Sequence, residues 1–139
     1  MLIKGSITAL VTPMNEKGDL DYDSLEKLIN YQINSGISGL VAVGTTGESA
    51  TINFKDHIKL IEFFVKINKG RVHIIAGTGA NSTEEALHLT KEAKSAGADA
   101  ALLVSPYYNK PPQDGIYYHH MKIADEVDIP QVLYNVPSR

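Results

Sequence analysis

A strand–helix unit that recurs about every 30 residues is the feature that most constrains this fold. Short apolar runs without polar alternation predict buried strands, and apolar residues three and four apart predict the helices between them. The predicted strands are residues 6–11, 40–43, 72–76, 100–104 and 131–134. The predicted helices run from Asp23 towards Gly36, from a cap at Asn53 to Gly70, from a Ser82–Glu85 capping box to Gly97, and from the loop at Pro111–Pro112 to about Val127.

Strict alternation of apolar strands with helices predicts an α/β fold with a parallel sheet. Every strand then ends on the same side, where polar residues collect: Thr12, Thr45, Thr46, Thr78, Asn81, Tyr107, Tyr108, Tyr134 and Arg139. This ring favours the N-terminal half of a (β/α)₈ TIM barrel, since a whole barrel needs about 250 residues. We therefore expect residues 1–139 to be four βα units and a fifth strand without an internal domain boundary, in a longer polypeptide whose remainder completes the barrel.

The second predicted strand breaks abruptly into Gly44-Thr45-Thr46-Gly47-Glu48. Glycines let the backbone approach a ligand closely, and the two hydroxyls can donate and accept hydrogen bonds. A ligand site at the carboxyl end of the sheet is one interpretation. A simple strand-to-helix turn, with threonine as the cap, is the other. Glu48 itself is predicted to be a helix-cap carboxylate.

Composition excludes several classes of function. The formal net charge of −3 gives no basic surface for nucleic acid or an anionic membrane. The chain has no cysteine, which excludes disulfides, thiolate catalysis and cysteine-ligated metals. No apolar run approaches about 18 residues, and the first four residues are too short for a secretory signal, so a cytoplasmic protein is expected. The histidines lack metal-site spacing, and His119 and His120 are expected on different helix faces. Gly77-Thr78-Gly79 lacks the third glycine of a dinucleotide fingerprint, so neither a metal nor a cofactor is predicted.

Three motifs in order and register carry a family resemblance across the whole chain. They are Gly44-Thr45-Thr46-Gly47-Glu48, the stretch 106–111 (PYYNKP) and the stretch 134–139 (YNVPSR). Together they resemble the dihydrodipicolinate synthase family, within the pyruvate-dependent class I aldolases that also include N-acetylneuraminate lyase. The resemblance implies a homotetrameric lyase, built as a dimer of dimers, that condenses pyruvate with aspartate-4-semialdehyde in lysine and diaminopimelate biosynthesis.

The resemblance also implies roles for individual residues. Thr45 and Thr46 would bind the pyruvate carboxylate, and Arg139 would hold the carboxylate of the aldehyde. Tyr134, Thr45 and a Tyr108 supplied by the neighbouring subunit would form a proton relay, because an isolated phenol with a pKa near 10 is a poor acid or base. The family's Schiff-base lysine lies on the sixth strand, beyond Arg139. Residues 1–139 alone are therefore predicted to be inactive.

A regulatory site is implied as well. In the family, L-lysine binds at the tight-dimer interface and inhibits. The matching residues here are Ser49, Ala50, His57, Asn81, Glu85 and Tyr107. Phe54 replaces a histidine that is common in lysine-sensitive members, so inhibition with reduced affinity is expected.

Two alternatives stay open. The protein could act on a sugar-derived keto acid such as N-acetylneuraminate or 2-keto-3-deoxygluconate, or it could be a non-catalytic keto-acid-binding module. Individually, Tyr134 could be a packed rim residue and Arg139 a solvated surface residue. Tyr107 and Tyr108 could belong to an exposed interface loop.

Overall fold

A computed structural model describes residues 3–137, in which parallel strands alternate with α-helices. The elements are β1 Ile7–Ala9, α1 Tyr22–Asn34, β2 Gly39–Ala42, α2 Phe54–Asn68, β3 His73–Gly77, α3 Thr83–Ala96, β4 Ala100–Val104, α4 Gln113–Glu126 and β5 Gln131–Tyr134. The strands pair in chain order, and every pair is parallel. The predicted α/β alternation is confirmed. Strands β4 and β5 have their predicted bounds, whereas β1 is shorter than predicted.

The predicted helix starts follow from side-chain caps. Asn53 accepts a hydrogen bond from the Asp56 N–H at 3.0 Å, which in general contributes about 1 kcal/mol. Ser82 accepts from the Glu85 N–H at a longer 3.4 Å. Helix α2 was predicted to stop at Gly70, and its last residue is Asn68. Lys69 already takes the left-handed conformation, with a φ of 51°, and so ends the helix before the glycine. None of the helices within residues 3–137 combines the length and the apolar character needed to cross a bilayer.

The two faces of the sheet pack differently, because successive side chains in a strand point to opposite sides. Leu40, Ile74 and Leu103 face the helices and are buried beneath them. Val41 and Ile75 belong to a separate cluster on the opposite, inner face, which also contains Ala100 and Leu102. The helices therefore cover only the outer face, as they would in a barrel wall.

Half of a barrel would be expected to leave its inner face uncovered, yet the inner side chains at the centre of this sheet are buried. Val41 is 8% exposed and Ile75 is 4% exposed. The inner-face side chains contact one another. Exposed aliphatic side chains of the sheet region lie instead on the edge strand β5 and just beyond β1. Leu133 is 60% exposed there, and Val11 is 50% exposed. Leu133 lies beside the buried Leu103 in register, on the side that helices cover elsewhere.

Candidate active site

Strand β2 leaves the sheet through a conformation that costs free energy. Val43 has a φ of 53°, which is a sterically unfavourable backbone angle for a β-branched residue. A backbone outlier of this kind costs about 1–3 kcal/mol and persists only where its surroundings hold it. Gly77 makes room for it, since a Cβ there would collide with the Val43 carbonyl oxygen. The chain is thereby redirected into the predicted Gly-Thr-Thr-Gly turn.

This turn presents unused hydrogen-bond donors. Thr45–Gly47 forms a single 3₁₀ turn, in which the Gly47 and Glu48 N–H groups donate to the Gly44 and Thr45 carbonyls, each at 3.0 Å. Within residues 3–137, the N–H groups of Thr45 and Thr46 donate to no protein acceptor, as expected for the first residues of such a turn. Both threonines are exposed. Paired N–H and hydroxyl donors of this kind suit a carboxylate.

The alternative interpretation of the turn, as a threonine-capped helix start, does not hold. The residue that caps α2 is Asn53, and a second 3₁₀ turn, Ser49–Thr51, separates it from the threonines. The prediction that Glu48 is a helix-cap carboxylate is wrong. Its side chain makes no capping hydrogen bond, and its backbone is left-handed with φ of 62°.

Tyr134 and Thr45 line the same cleft at the carboxyl ends of β2 and β5. The cleft is completed by small and apolar residues: Val43, Gly44, Ser49, Gly77, Gly79, Leu102 and Val104. Tyr134 lies beside Val104 in register, on the inner face of the sheet. A Cβ on Gly79 would collide with the Val104 backbone nitrogen, so glycine is required for the cleft to have this shape. No lysine within residues 3–137 lines it.

Two buried side chains hold this end of the sheet together. The Thr12 hydroxyl donates to the Gly47 carbonyl at 2.7 Å, and His57 Nε2 donates to the Gly77 carbonyl at the same distance. Burial lowers the pKa of His57, an effect opposed by its bond to Gly77, so the ring is neutral near pH 7 and carries its proton on Nε2. Sequence reasoning missed both of these contacts. The sequence did carry a signal for them. Thr12 is a polar residue just after a predicted strand, and His57 is a polar residue on the apolar face of a predicted helix.

The loop between β4 and α4 places the two consecutive tyrosines differently. Tyr107 is half-buried, whereas Tyr108 has a φ of 69° and is 90% exposed. Tyr107 lines a second cleft together with Ser49, Ala50, Thr45, Glu48, Thr51 and Val104. The structure therefore brings together three of the six residues in the predicted lysine site: Ser49, Ala50 and Tyr107.

The other predicted residues lie apart from these clefts. Asn81 and Glu85 are exposed at the start of α3, and His57 is 4% exposed beneath the sheet end. Thr78, which we placed in the ring of strand ends, faces α3 instead, with its hydroxyl 2.9 Å from that of Thr90. Arg139 lies outside the described residues.

His119 and His120 are both buried on α4, with ring centroids 5.1 Å apart at 84°. They face different neighbours, as expected for adjacent helix positions, and His120 Nε2 lies 3.5 Å from the Ser105 hydroxyl after β4. His119 Nδ1 lies 2.9 Å from the Thr83 hydroxyl. Burial, and secondarily His120, lowers the pKa of His119 to about 4. Among residues 3–137, no three His, Asp or Glu side chains are grouped as a metal site would require.

Comparisons with known proteins agree with this architecture. Residues 2–139 match the Dihydrodipicolinate synthetase family. The chain is 61% identical over 138 residues to a 4-hydroxy-tetrahydrodipicolinate synthase of Pseudomonas putida, covering 99% of this chain and 47% of that protein. The chain thus spans about half the length of the curated relatives it matches.

Solved structures give the same result. A dihydrodipicolinate synthase from Acinetobacter baumannii, complexed with pyruvate, superposes with a TM-score of 0.97 at 54% identity. The superposition covers 99% of this chain and 47% of the Acinetobacter baumannii chain. A synthase from Cyanidioschyzon merolae with lysine bound superposes with a TM-score of 0.94 at 42% identity, over 99% of this chain and 47% of that one.

These neighbours are (β/α)₈ barrels of which this chain covers about half, so the predicted half-barrel is confirmed. The sheet of sequentially ordered parallel strands, the helices on one face and the family match all lead to one assignment. The chain belongs to the dihydrodipicolinate synthetase family.

Proposed function

We propose that the full-length protein condenses pyruvate with aspartate-4-semialdehyde to 4-hydroxy-tetrahydrodipicolinate, through a Schiff base, in lysine and diaminopimelate biosynthesis. One observation carries the proposal. Thr45 and Tyr134 line one cleft at the carboxyl end of the sheet, in a chain 61% identical to a synthase of that name. The pyruvate complex of the Acinetobacter baumannii relative supports the choice of keto acid.

In this proposal the turn at Thr45 and Thr46 holds the pyruvate carboxylate. Its two free N–H groups and two hydroxyls can each donate to a carboxylate oxygen, and hydrogen bonds to a charged acceptor contribute about 1.5–3 kcal/mol. Binding there leaves the keto carbon pointing along the cleft towards Tyr134. The fixed turn would therefore orient the substrate as well as bind it.

Proton transfer is assigned to Tyr134 with Thr45. Imine formation releases the keto oxygen as water, and a proton then leaves the methyl carbon so that the resulting enamine can attack the aldehyde. The aldehyde oxygen takes up a proton in turn. The amino group of the aldehyde substrate then attacks the imine carbon and displaces the enzyme amine, which closes the product ring and frees the enzyme. A phenol exchanges these protons effectively only within a hydrogen-bonded relay. Tyr108, which is 90% exposed, would complete the relay from a second subunit of a homotetramer.

Two further groups complete the reaction. The amine that forms the Schiff base would be a lysine outside residues 1–139, consistent with the absence of a lysine from the described lining of the cleft. Arg139 would hold the aldehyde's carboxylate, a task suited to the fork of a guanidinium group. The reaction assigned to these side chains needs neither a metal nor a cofactor.

Regulation by L-lysine is proposed at the cleft of Ser49, Ala50 and Tyr107. His57, Asn81 and Glu85, which lie apart from that cleft, are assigned to the same site by the family resemblance. The Glu85 carboxylate and Asn81 amide suit an ammonium group, and Tyr107 can contact a carboxylate. The lysine-bound relative from Cyanidioschyzon merolae supports this assignment. We further propose that the enzyme acts in the cytoplasm.

The experiment is a condensation assay with the purified full-length protein. Pyruvate with aspartate-4-semialdehyde should be turned over, while cleavage of N-acetylneuraminate and of 2-keto-3-deoxygluconate should be at background. Turnover of a sugar acid alone would replace the proposal with a different aldolase. Pyruvate binding without any turnover would instead favour a binding module.

A further inference from the structure

Among residues 3–137, one buried side-chain hydrogen bond joins the turn that presents Thr45 and Thr46 to the segment after β1. The turn's other hydrogen bonds are local, joining Gly47 and Ser49 back to the Gly44 carbonyl. Such bonds fix the shape of the turn but not its orientation relative to Tyr134. The Thr12 hydroxyl supplies the external contact, donating to the Gly47 carbonyl at 2.7 Å.

This contact is shielded from water. Thr12 is 5% exposed and Gly47 is buried. A Cβ on Gly47 would lie 3.1 Å from both the Thr12 hydroxyl oxygen and the Leu10 carbonyl oxygen, so the turn rests directly on the end of β1. Without the hydroxyl, the Gly47 carbonyl would be a buried acceptor that has lost its partner. A turn in that state relieves the cost by moving towards water.

The entry to the turn makes an external restraint necessary. Val43 is held at a φ of 53°, and an unfavourable backbone angle relaxes when its restraints are removed. Thr12 restrains the far end of the same short segment, four residues on. Strain at one end and a buried hydrogen bond at the other together define the direction of the Thr45 and Thr46 N–H groups.

We propose that Thr12 is a positioning residue whose hydroxyl, acting through the Gly47 carbonyl, aligns the Thr45–Thr46 donors with the substrate carboxylate. This inference rests on the proposed function. Thr12 contacts the turn and does not line the cleft that Thr45 and Tyr134 share. Its contribution should therefore appear in the binding of pyruvate more than in the chemical step.

The test compares Thr12→Val with Thr12→Ser in the full-length protein. Valine keeps the shape but removes the hydroxyl, and should raise the KM for pyruvate about tenfold while kcat changes less than about threefold. Serine keeps the hydroxyl and should restore a KM near that of the wild type. A loss that serine does not rescue would mean that the methyl group, and so packing alone, is what matters.

Thr90→Val is the matched control. Thr90 is fully buried, and its hydroxyl donates to the Ala86 carbonyl at 2.6 Å, away from the turn. Both valine variants should lower the melting temperature, but only Thr12→Val should change KM. An unchanged KM in Thr12→Val, or an equal rise in Thr90→Val, would overturn the inference.

Calorimetric titration of pyruvate into the same variants separates this inference from the proposed function. If the wild type binds pyruvate but does not condense it with aspartate-4-semialdehyde, the proposed reaction is wrong. The role of Thr12 is then still tested, by comparing the dissociation constants for pyruvate of the wild type, Thr12→Val and Thr12→Ser. A wild type that binds no pyruvate at all would end both proposals.

Discussion

For single residues, the alternation of side chains along strand β5 decides whether Tyr134 faces the cleft or the helices. Val132 and Tyr134 lie beside Leu102 and Val104 in register, on the inner face, whereas Leu133 faces outward. Only an inner-face residue at the end of the strand reaches the cleft that Thr45 lines. The phenol is thus positioned by its place in the strand.

Replacing Tyr134 with phenylalanine in the full-length enzyme should lower kcat by about 10²-fold or more and leave pyruvate binding intact, because a positioned acid–base group is lost. Steady-state kinetics and pyruvate titration measure the two effects. Tyr31→Phe is the control, since Tyr31 is 66% exposed on α1 and should tolerate the change. A near-normal kcat in Tyr134→Phe would show that Tyr134 is a packed residue at the rim of the sheet and does not transfer protons.

His119 gives a second prediction at this scale. Its pKa is about 4 in the folded protein, against about 6.5 in an unfolded chain. Between those values the unfolded state binds a proton that the folded state does not, so the free energy of unfolding must fall as the pH falls from about 6.5 towards 4. His119→Asn keeps a polar group near Thr83 and should make the decline in melting temperature over this range shallower.

His88→Asn controls for the loss of a histidine as such. The His88 side chain is 57% exposed, beside Glu92 at 3.4 Å and the Phe54 ring. Its replacement leaves the buried pair intact, so His88→Asn should show the same decline in melting temperature as the wild type. Equal slopes in wild type and His119→Asn would show that the buried pair is not what titrates.

Residue patterns predicted some positions well and others poorly. Asn53 and Ser82 were found as caps because a cap depends on local sequence. Thr78 was misplaced because the end of β3 was predicted at residue 76, one residue short of Gly77. Because β3 continues to Gly77, the alternation of side chains along the strand still applies there. Gly77 therefore lies on the inner face, and the next side chain, Thr78, points towards α3. The φ of Val43 depends on a contact with Gly77, more than 30 positions away, and has no local signal.

At the scale of elements, the start of α2 is where regulation should be decided. Phe54 is its first residue, and the ring packs against His88 of α3 with centroids 4.8 Å apart. A phenylalanine ring offers no hydrogen bond to a bound amino acid, unlike the histidine common in lysine-sensitive members of the family. The first position of α2 is therefore apolar where such a ligand would need a polar partner.

L-lysine should inhibit the full-length enzyme weakly, and Phe54→His should strengthen its binding by restoring a polar ring. Calorimetric titration of both proteins with lysine measures this. Phe54→Leu is the matched control and should stay as weak as the wild type. An absence of heat at millimolar lysine in both the wild type and Phe54→His would rule out the site.

At the scale of the whole molecule, the described residues form a wall with two unfinished edges. Strands β1 and β5 each lack a partner on one side within residues 3–137. Val132 and Leu133 are 43% and 60% exposed on β5. Full burial of a large aliphatic side chain contributes about 1.5–3 kcal/mol, against a typical domain stability of about 5–15 kcal/mol. The closing half of a barrel would cover these surfaces, and residues 1–139 alone are not expected to persist as a stable monomer.

The fold class could be predicted from the sequence because the βα period is repeated in every unit. The chemistry could not be predicted as completely. The cleft shared by Thr45 and Tyr134 joins residues 89 positions apart, and only the sheet order brings them together. The family resemblance added the roles of these residues and the expectation of a lysine elsewhere.

We propose that residues 1–139 are the substrate-binding half of a Schiff-base enzyme whose nucleophile lies outside them. Borohydride reduction of the full-length protein in the presence of pyruvate, followed by peptide mass spectrometry, tests it most directly. We predict one pyruvate-dependent adduct, on a lysine outside residues 1–139, and none when residues 1–139 are expressed alone. No adduct in the full-length protein, or an adduct on any of the lysines within residues 1–139, would contradict the claim.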